Sequence, residues 1–205
     1  MTNYDRLIQY FEGFPGIGTR QAKRFVNHLL VMSDSDRSQL SELVRDIKGS
    51  VATCKECFRF YTTNGNTDGV CTICSNPERD RTKLMVVERD SDLLSVERAG
   101  TYDGLYFVLG GTIPLLSDDE TKKLRGGALK QIVESRTTEG LSEIILAFSV
   151  NPDGENTARY INTLLKDLIT EHSLTITTLG RGLSTGSELE YADPETIKSA
   201  LSNRG

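Results

Sequence analysis

Cys54, Cys57, Cys71 and Cys74 are all the cysteines in the chain, and they stand in two C-x-x-C pairs. Two residues between cysteines let both sulfurs of a tight turn face one ion. Two such turns supply the tetrahedral set of a closed structural zinc site. The thirteen residues between the pairs fall slightly short of the usual ribbon spacing. They contain Asn64-Gly65-Asn66 and Asp68-Gly69, which suit a hairpin turn. Disulfides would need an exporting signal, and a redox pair would stand alone beside a βαβ unit. No fifth ligand is evident, so Zn²⁺ is expected to brace a segment too small to hold a core. Such a site can supply roughly 10 kcal/mol or more to folding.

A second group could bind phosphate. Phe14-Pro15-Gly16-Ile17-Gly18 interrupts two helical patterns, and Arg20, Lys23 and Arg24 follow on the first turns of the second. Gly16 and Gly18 let the backbone approach a phosphate, and the helix start aims free N–H groups at it. The three cations add charge, which positions DNA without reading its sequence. The alternative is a plain helix turn with a solvated basic face.

A third group is acidic. Glu88 closes an apolar run with Asp92 one helical turn on, and Asp153 and Glu155 follow another such run. If the two strands are neighbours, these four carboxylates converge. They would then form a site for a hard cation such as Mg²⁺ or a patch for a basic partner. Separate helix caps and surface acids are the plainer alternative.

The elements that carry these groups follow from periodicity. Tyr4, Leu7, Ile8 and Phe11 mark a first helix. Thr19 is the expected cap of a second through Ala22, Phe25, Val26, Leu29 and Leu30. After a polar turn over 33–38 comes a third through Leu40, Leu43, Val44 and Ile47. Beyond the cysteines, strands are expected over 84–88, 105–109, 143–148 and 174–179. Helices are expected over 90–98, with Leu93, Leu94 and Val96 buried, and over 121–135 and 155–171. This alternation predicts a parallel α/β sheet with helices on both faces, whose ligand sites lie at the carboxyl ends of the strands.

Composition bounds the rest. The chain has 205 residues, 37% hydrophobic and 26% charged, with a net charge of −5. DNA binding must therefore come from a local basic patch. No apolar run reaches membrane-spanning length, and the first residues lack the regions of a signal peptide. With reduced, metal-binding cysteines this points to the cytoplasm and away from a membrane.

Four blocks in order resemble the bacterial recombination mediator family RecR across nearly the whole chain. They are the hairpin Phe14 to Arg20, the four cysteines, a toprim block and a C-terminal block. The toprim block runs from Val86-Val-Glu88 through Gly100 to Gly104 and Val108 to Gly111, ending at Asp153-Gly-Glu155. The C-terminal block runs from Gly180-Arg-Gly182 through Gly186 to Asp193. The implied organisation is a helix-hairpin-helix region (1–52), a zinc finger (53–78), a toprim domain (79–176) and a Walker-B-like oligomerisation tail (177–205). The resemblance implies a DNA-binding protein without turnover. It would form a dimeric or tetrameric ring and act with RecO, and in many bacteria RecF, to place RecA on single-stranded gaps. It assigns Arg20 and Arg24 to DNA, the cysteines to zinc, and Glu88, Asp92, Asp153 and Glu155 to the RecO contact. The chain departs from the family at Ser149-Val-Asn-Pro-Asp153, at Phe107 where a histidine is common, and in a shorter loop over 112–120.

The competing class is a Mg²⁺-dependent toprim nuclease or topoisomerase. Aligned on Gly154-Glu155, its two further aspartates fall on Ser149 and Asn151, neither of which is anionic. The segment from Gly180 to Gly186 is no phosphate-binding loop, because no Gly-Lys-Ser/Thr follows the glycines.

Overall fold

A computed structural model describes residues 1–63, 68–115, 124–180, 186, 190 and 192–202. The chain divides into two units, Met1–Val51 and Ala52–Gly205.

The first unit is three helices, α1 (Asn3–Glu12), α2 (Thr19–Val31) and α3 (Asp34–Ser50). α1 begins with a reciprocal cap: Asp5 N–H donates to Thr2 Oγ1 (3.2 Å), and Thr2 N–H donates to Asp5 Oδ2 (2.9 Å). α2 departs from expectation at its start. Thr19 is its first residue rather than its cap; Gly18 is the cap and supplies no side chain. α3 begins within the stretch expected to be a turn. The Ser33 hydroxyl accepts the Asp36 N–H (3.1 Å), and Asp34 and Asp36 suit the positive end of a helix. The core of this unit is small. Ile8, Ala22 and Val26 are buried, with Phe11 and Ile17 packed against them.

A two-stranded sheet of β1 (Val51–Thr53) and β2 (Phe60–Thr62) comes next in the chain. Then come β3 (Asp80–Val87), α4 (Asp90–Ala99), β4 (Gly104–Val108), α5 (Gly126–Thr137), β5 (Glu143–Ala147), α6 (Pro152–His172), β6 (Thr175–Thr178) and α7 (Pro194–Ser202). Four of these strands form a parallel sheet in the order β4-β3-β5-β6. β3 lies between β4 and β5, with Val87 level with Val108 on one side and Ala147 on the other. Both faces of the sheet are covered, which is why the central strands read as continuous apolar runs. On one face Leu84, Val86, Phe107, Ile144 and Leu146 pack with Leu129 and Val133 of α5 and Ile161 and Leu165 of α6. On the other, Met85, Val87, Tyr106 and Val108 pack with Leu93 of α4 and all four cysteines. Each such side chain contributes about 1.5–3 kcal/mol by leaving water.

Two helix expectations are corrected. Only Leu93 of the three apolar residues expected inside α4 is fully buried; Val96 is partly buried and Leu94 is exposed. α5 starts at Gly126, five residues later than expected, and residues 121–123 lie outside the described set. The start is set by packing. A Cβ on Gly126 would meet the Tyr160 hydroxyl oxygen at 2.3 Å, so the glycine lets α5 lie close on α6. The turn expected at Asn64-Gly65-Asn66 and most of the C-terminal block also lie outside the described residues. α7 follows that block, and Thr196 N–H donates to Asp193 Oδ1 at its start (2.9 Å).

Candidate functional site

The two C-x-x-C turns bring one sulfur from each of Cys54, Cys57, Cys71 and Cys74 within 4.8 Å of every other. All four side chains are buried and none is in a disulfide. Cys57 Sγ and Cys71 Sγ are 3.6 Å apart. A bonded pair would sit at about 2.05 Å. Sulfurs on a tetrahedral ion with bonds near 2.3 Å are separated by about 3.8 Å. The donor set therefore fits a metal ion of that size.

Charge supports the same reading. Crowding by the neighbouring sulfurs, Cys54 first, and then burial drive the Cys57 and Cys74 thiols far up, so the set resists full ionisation on its own. Four buried thiolates repel one another, and a divalent cation removes that conflict. Cys71 N–H also donates to Cys54 Sγ (3.3 Å), orienting the sulfur from behind.

The first knuckle is fastened to the edge of the four-stranded sheet. Val108 N–H on edge strand β4 donates to the Cys57 carbonyl (2.8 Å). The next residue, Phe58, adopts φ +61°, a left-handed conformation that costs a bulky side chain about 1–3 kcal/mol. Arg125 holds it there. Its Nη1 donates to Phe58 O (3.1 Å) and Val108 O (2.9 Å), and its guanidinium carbon lies 5.5 Å from the centre of the Phe58 ring. At the other end of α5, buried Arg136 donates to Glu56 Oε2 (3.1 Å). Sequence reasoning missed Phe58, Arg125 and Arg136. No spacing marks them, because each acts on the knuckle from a distant or irregular part of the chain.

β3 and β5 are neighbours, so the four acids do stand at adjacent carboxyl ends. Three of them have separate occupations. Glu88 pairs with Arg89 (2.7 Å). Asp92 Oδ2 accepts the Arg89 N–H at the start of α4 (2.9 Å). Asp153 Oδ1 accepts the Leu115 N–H (3.1 Å). Glu155 lies in the first turn of α6. Among the described residues, only the cysteines form a group of three or more acids, histidines or cysteines with ligand atoms within 4.8 Å. Asn151, where a topoisomerase-like site would need an aspartate, caps α6: Gly154 N–H donates to its Oδ1 (2.8 Å).

In the hairpin, Gly16 takes φ +75° and Ile17 N–H closes a turn to Phe14 O (3.1 Å). A Cβ on Gly18 would meet nothing within 4 Å, so the approach to the start of α2 is open. Arg20, Lys23 and Arg24 are exposed on one side of α2, at helical spacings of three and four. None of them has an ion-pair partner among the described residues.

Residues 82–179 match the Toprim domain family, and residues 182–204 match the RecR C-terminal family. The recombination protein RecR of Chloroflexus aggregans is 39% identical over 199 residues, 97% of this chain and 91% of that protein. The RecR proteins of Rhodopirellula baltica and Lactobacillus helveticus are 36% and 35% identical, each over 97% of this chain and 94% of theirs. The chain belongs to the RecR family. The RecR relationship runs through hairpin, cysteines and sheet together, because so little of the chain falls outside these alignments. Among the described residues no helix is long and apolar enough to cross a membrane.

Proposed function

We propose that this chain is a DNA-binding recombination mediator without a turnover reaction, as its whole-length kinship with proteins named recombination protein RecR suggests. The observation that carries the DNA reading is the hairpin. A helix start with no side-chain cap lies open beside Gly16 and Gly18, and Arg20, Lys23 and Arg24 stand exposed around it. These groups grip the sugar-phosphate backbone without reading bases. The four cysteines hold one Zn²⁺, whose role is to fold the knuckles against the sheet. Glu88, Asp92, Asp153 and Glu155 form the surface that receives RecO, and RecF where it takes part, so that RecA is loaded at single-stranded gaps.

A few cations per chain bind DNA weakly, and a ring of copies multiplies them. The first unit supports self-association. Leu40, Leu43, Val44 and Ile47 make an apolar stripe along α3, and all four are exposed. A three-helix unit with so small a core gains most by covering that stripe with a second copy.

The test joins mass to binding. Light scattering of the purified protein should give a multiple of 22.7 kDa. Replacing Arg20 and Arg24 together by alanine should abolish retention of single-stranded and duplex DNA without changing that mass. Unchanged retention would refute the hairpin role, and a monomer with RecO and DNA present would refute the ring.

A further inference from the structure

The segment after β4 is pinned at both ends. Behind it, Arg125 N–H donates to Leu109 O (3.1 Å), and its guanidinium reaches Val108 O and lies about where a Cβ on Gly110 would touch it, at 3.7 Å. Ahead, Ile113 N–H donates to Thr157 Oγ1 (2.8 Å), Leu115 N–H donates to Asp153 Oδ1 (3.1 Å), and Asn156 Nδ2 donates to Ile113 O (3.3 Å). Residues 109–115 are thus a strap strung between Arg125 and the first turns of α6. The same Nη1 that reaches Val108 O also donates to Phe58 O, one residue beyond the metal-ligating Cys57.

We infer that the metal site and this strap are coupled through Arg125, so that whatever engages Asp153 at the head of α6 alters metal affinity, and metal occupancy alters the strap. One guanidinium nitrogen, Nη1, bridges two carbonyls, one from the knuckle and one from β4. The same guanidinium lies over the ring of the left-handed Phe58, next to Cys57. Leu109 and Gly110 N–H are held to Val87 O (2.9 Å) and Glu88 O (3.0 Å), so a strap that pulls away from α6 moves first at Gly111, which lies against Leu124 beside Arg125. Arg125 then loses the geometry that holds Phe58, and Cys57 with it. The reverse path follows from linkage: a factor in affinity one way is the same factor the other way. Asp153 lies on the acidic surface proposed for the protein partner, so partner binding would reach the metal by this route.

The inference rests on zinc occupancy, so metal content is measured first. A chain that is purified without zinc and takes up none when it is added overturns the metal reading and this inference with it. In zinc-loaded protein, the zinc dissociation constant is then measured by competition with a calibrated chelator. Asp153→Ala, which removes the Leu115 anchor, should weaken zinc binding by roughly fivefold or more, the low end of coupling between sites. Arg125→Met keeps the stem but removes the Nη1 donor shared by the two carbonyls, and should do the same. Leu168→Ala opens a cavity toward the far end of α6 and lowers stability but leaves the strap contacts. It should leave zinc affinity unchanged. Zinc affinity that follows overall stability across the three variants, or does not change in Asp153→Ala, would overturn the coupling while the metal reading stands.

Discussion

Each exposed cation of the hairpin should act as a separate, countable contact. Lys23 stands free on α2 among the described residues. Lys23→Ala should therefore leave thermal stability unchanged and make duplex binding less salt-dependent. The slope of log affinity against log salt should fall by about 0.9, the share of one phosphate contact. An unchanged slope would show that Lys23 faces away from the bound strand. Asp80 carries a different prediction. The Lys83 ammonium (2.8 Å) and then the Thr82 hydroxyl and N–H hold its carboxyl down at about 2, against an ordinary value of 3.8. A carboxylate lowered on folding stabilises the fold fully above its unfolded value and loses that contribution as pH falls through its folded value. Thermal melts of wild type and Asp80→Asn should differ at pH 5 and converge as pH falls toward 2. A gap that persists at pH 2 would mean that the charge is not what matters at this position.

Among the elements, the turn from β5 into α6 is the tightest. A Cβ on Gly154 would lie 2.0 Å from the Ser149 carbonyl oxygen, which is backbone and has little room to yield. Gly154→Ala should cost about 1–3 kcal/mol, seen as a lower urea midpoint with an unchanged slope. On α3 the reverse holds. Leu43 and Val44 are 63% and 64% exposed, so replacing both by lysine should leave the melting of the chain's second unit as it was. It should instead lower the mass measured by light scattering.

These elements also show what could be read in advance. The four strands and their parallel order of alternation were legible because strands buried on both faces are written as unbroken apolar runs, such as Leu84 to Val87. The cysteine cluster was legible from spacing alone. The α5 start was not, because it depends on Gly126 lying against Tyr160 in another helix. The α4 interior was over-read: Leu94 has the right composition but the wrong side of the helix. The Arg125 and Arg136 clamps were invisible, since a lone arginine in sequence says nothing about which carbonyl it will reach. Asp153 was legible as an acid near a strand end, but not as the anchor of residues 109–115.

At the scale of the molecule, the cysteine knuckles stand where a doubly wound sheet would carry another helix. Their sulfurs share a core with Met85, Val87, Leu93, Tyr106 and Val108. Metal removal should therefore damage the sheet as well as the finger. Dialysis against a strong chelator should lower the melting temperature of the whole second unit and raise binding of a dye that reports exposed apolar surface. Cys54→Ser should do the same. A chelated protein that melts as one sharp, unshifted transition would show that the sheet stands without the ion.

The last cysteine, Cys74, precedes β3, the first strand of the four-stranded sheet, which begins at Asp80. During synthesis all four thiols leave the ribosome before the four-stranded sheet exists to shelter them. The growing polypeptide must find its ion early, while the sulfurs are still open to the surrounding fluid, or close its second core around an empty nest. Output of working protein should thus follow the supply of that ion at the moment of translation, and the ion added after folding should recover less working protein than the same amount present during synthesis.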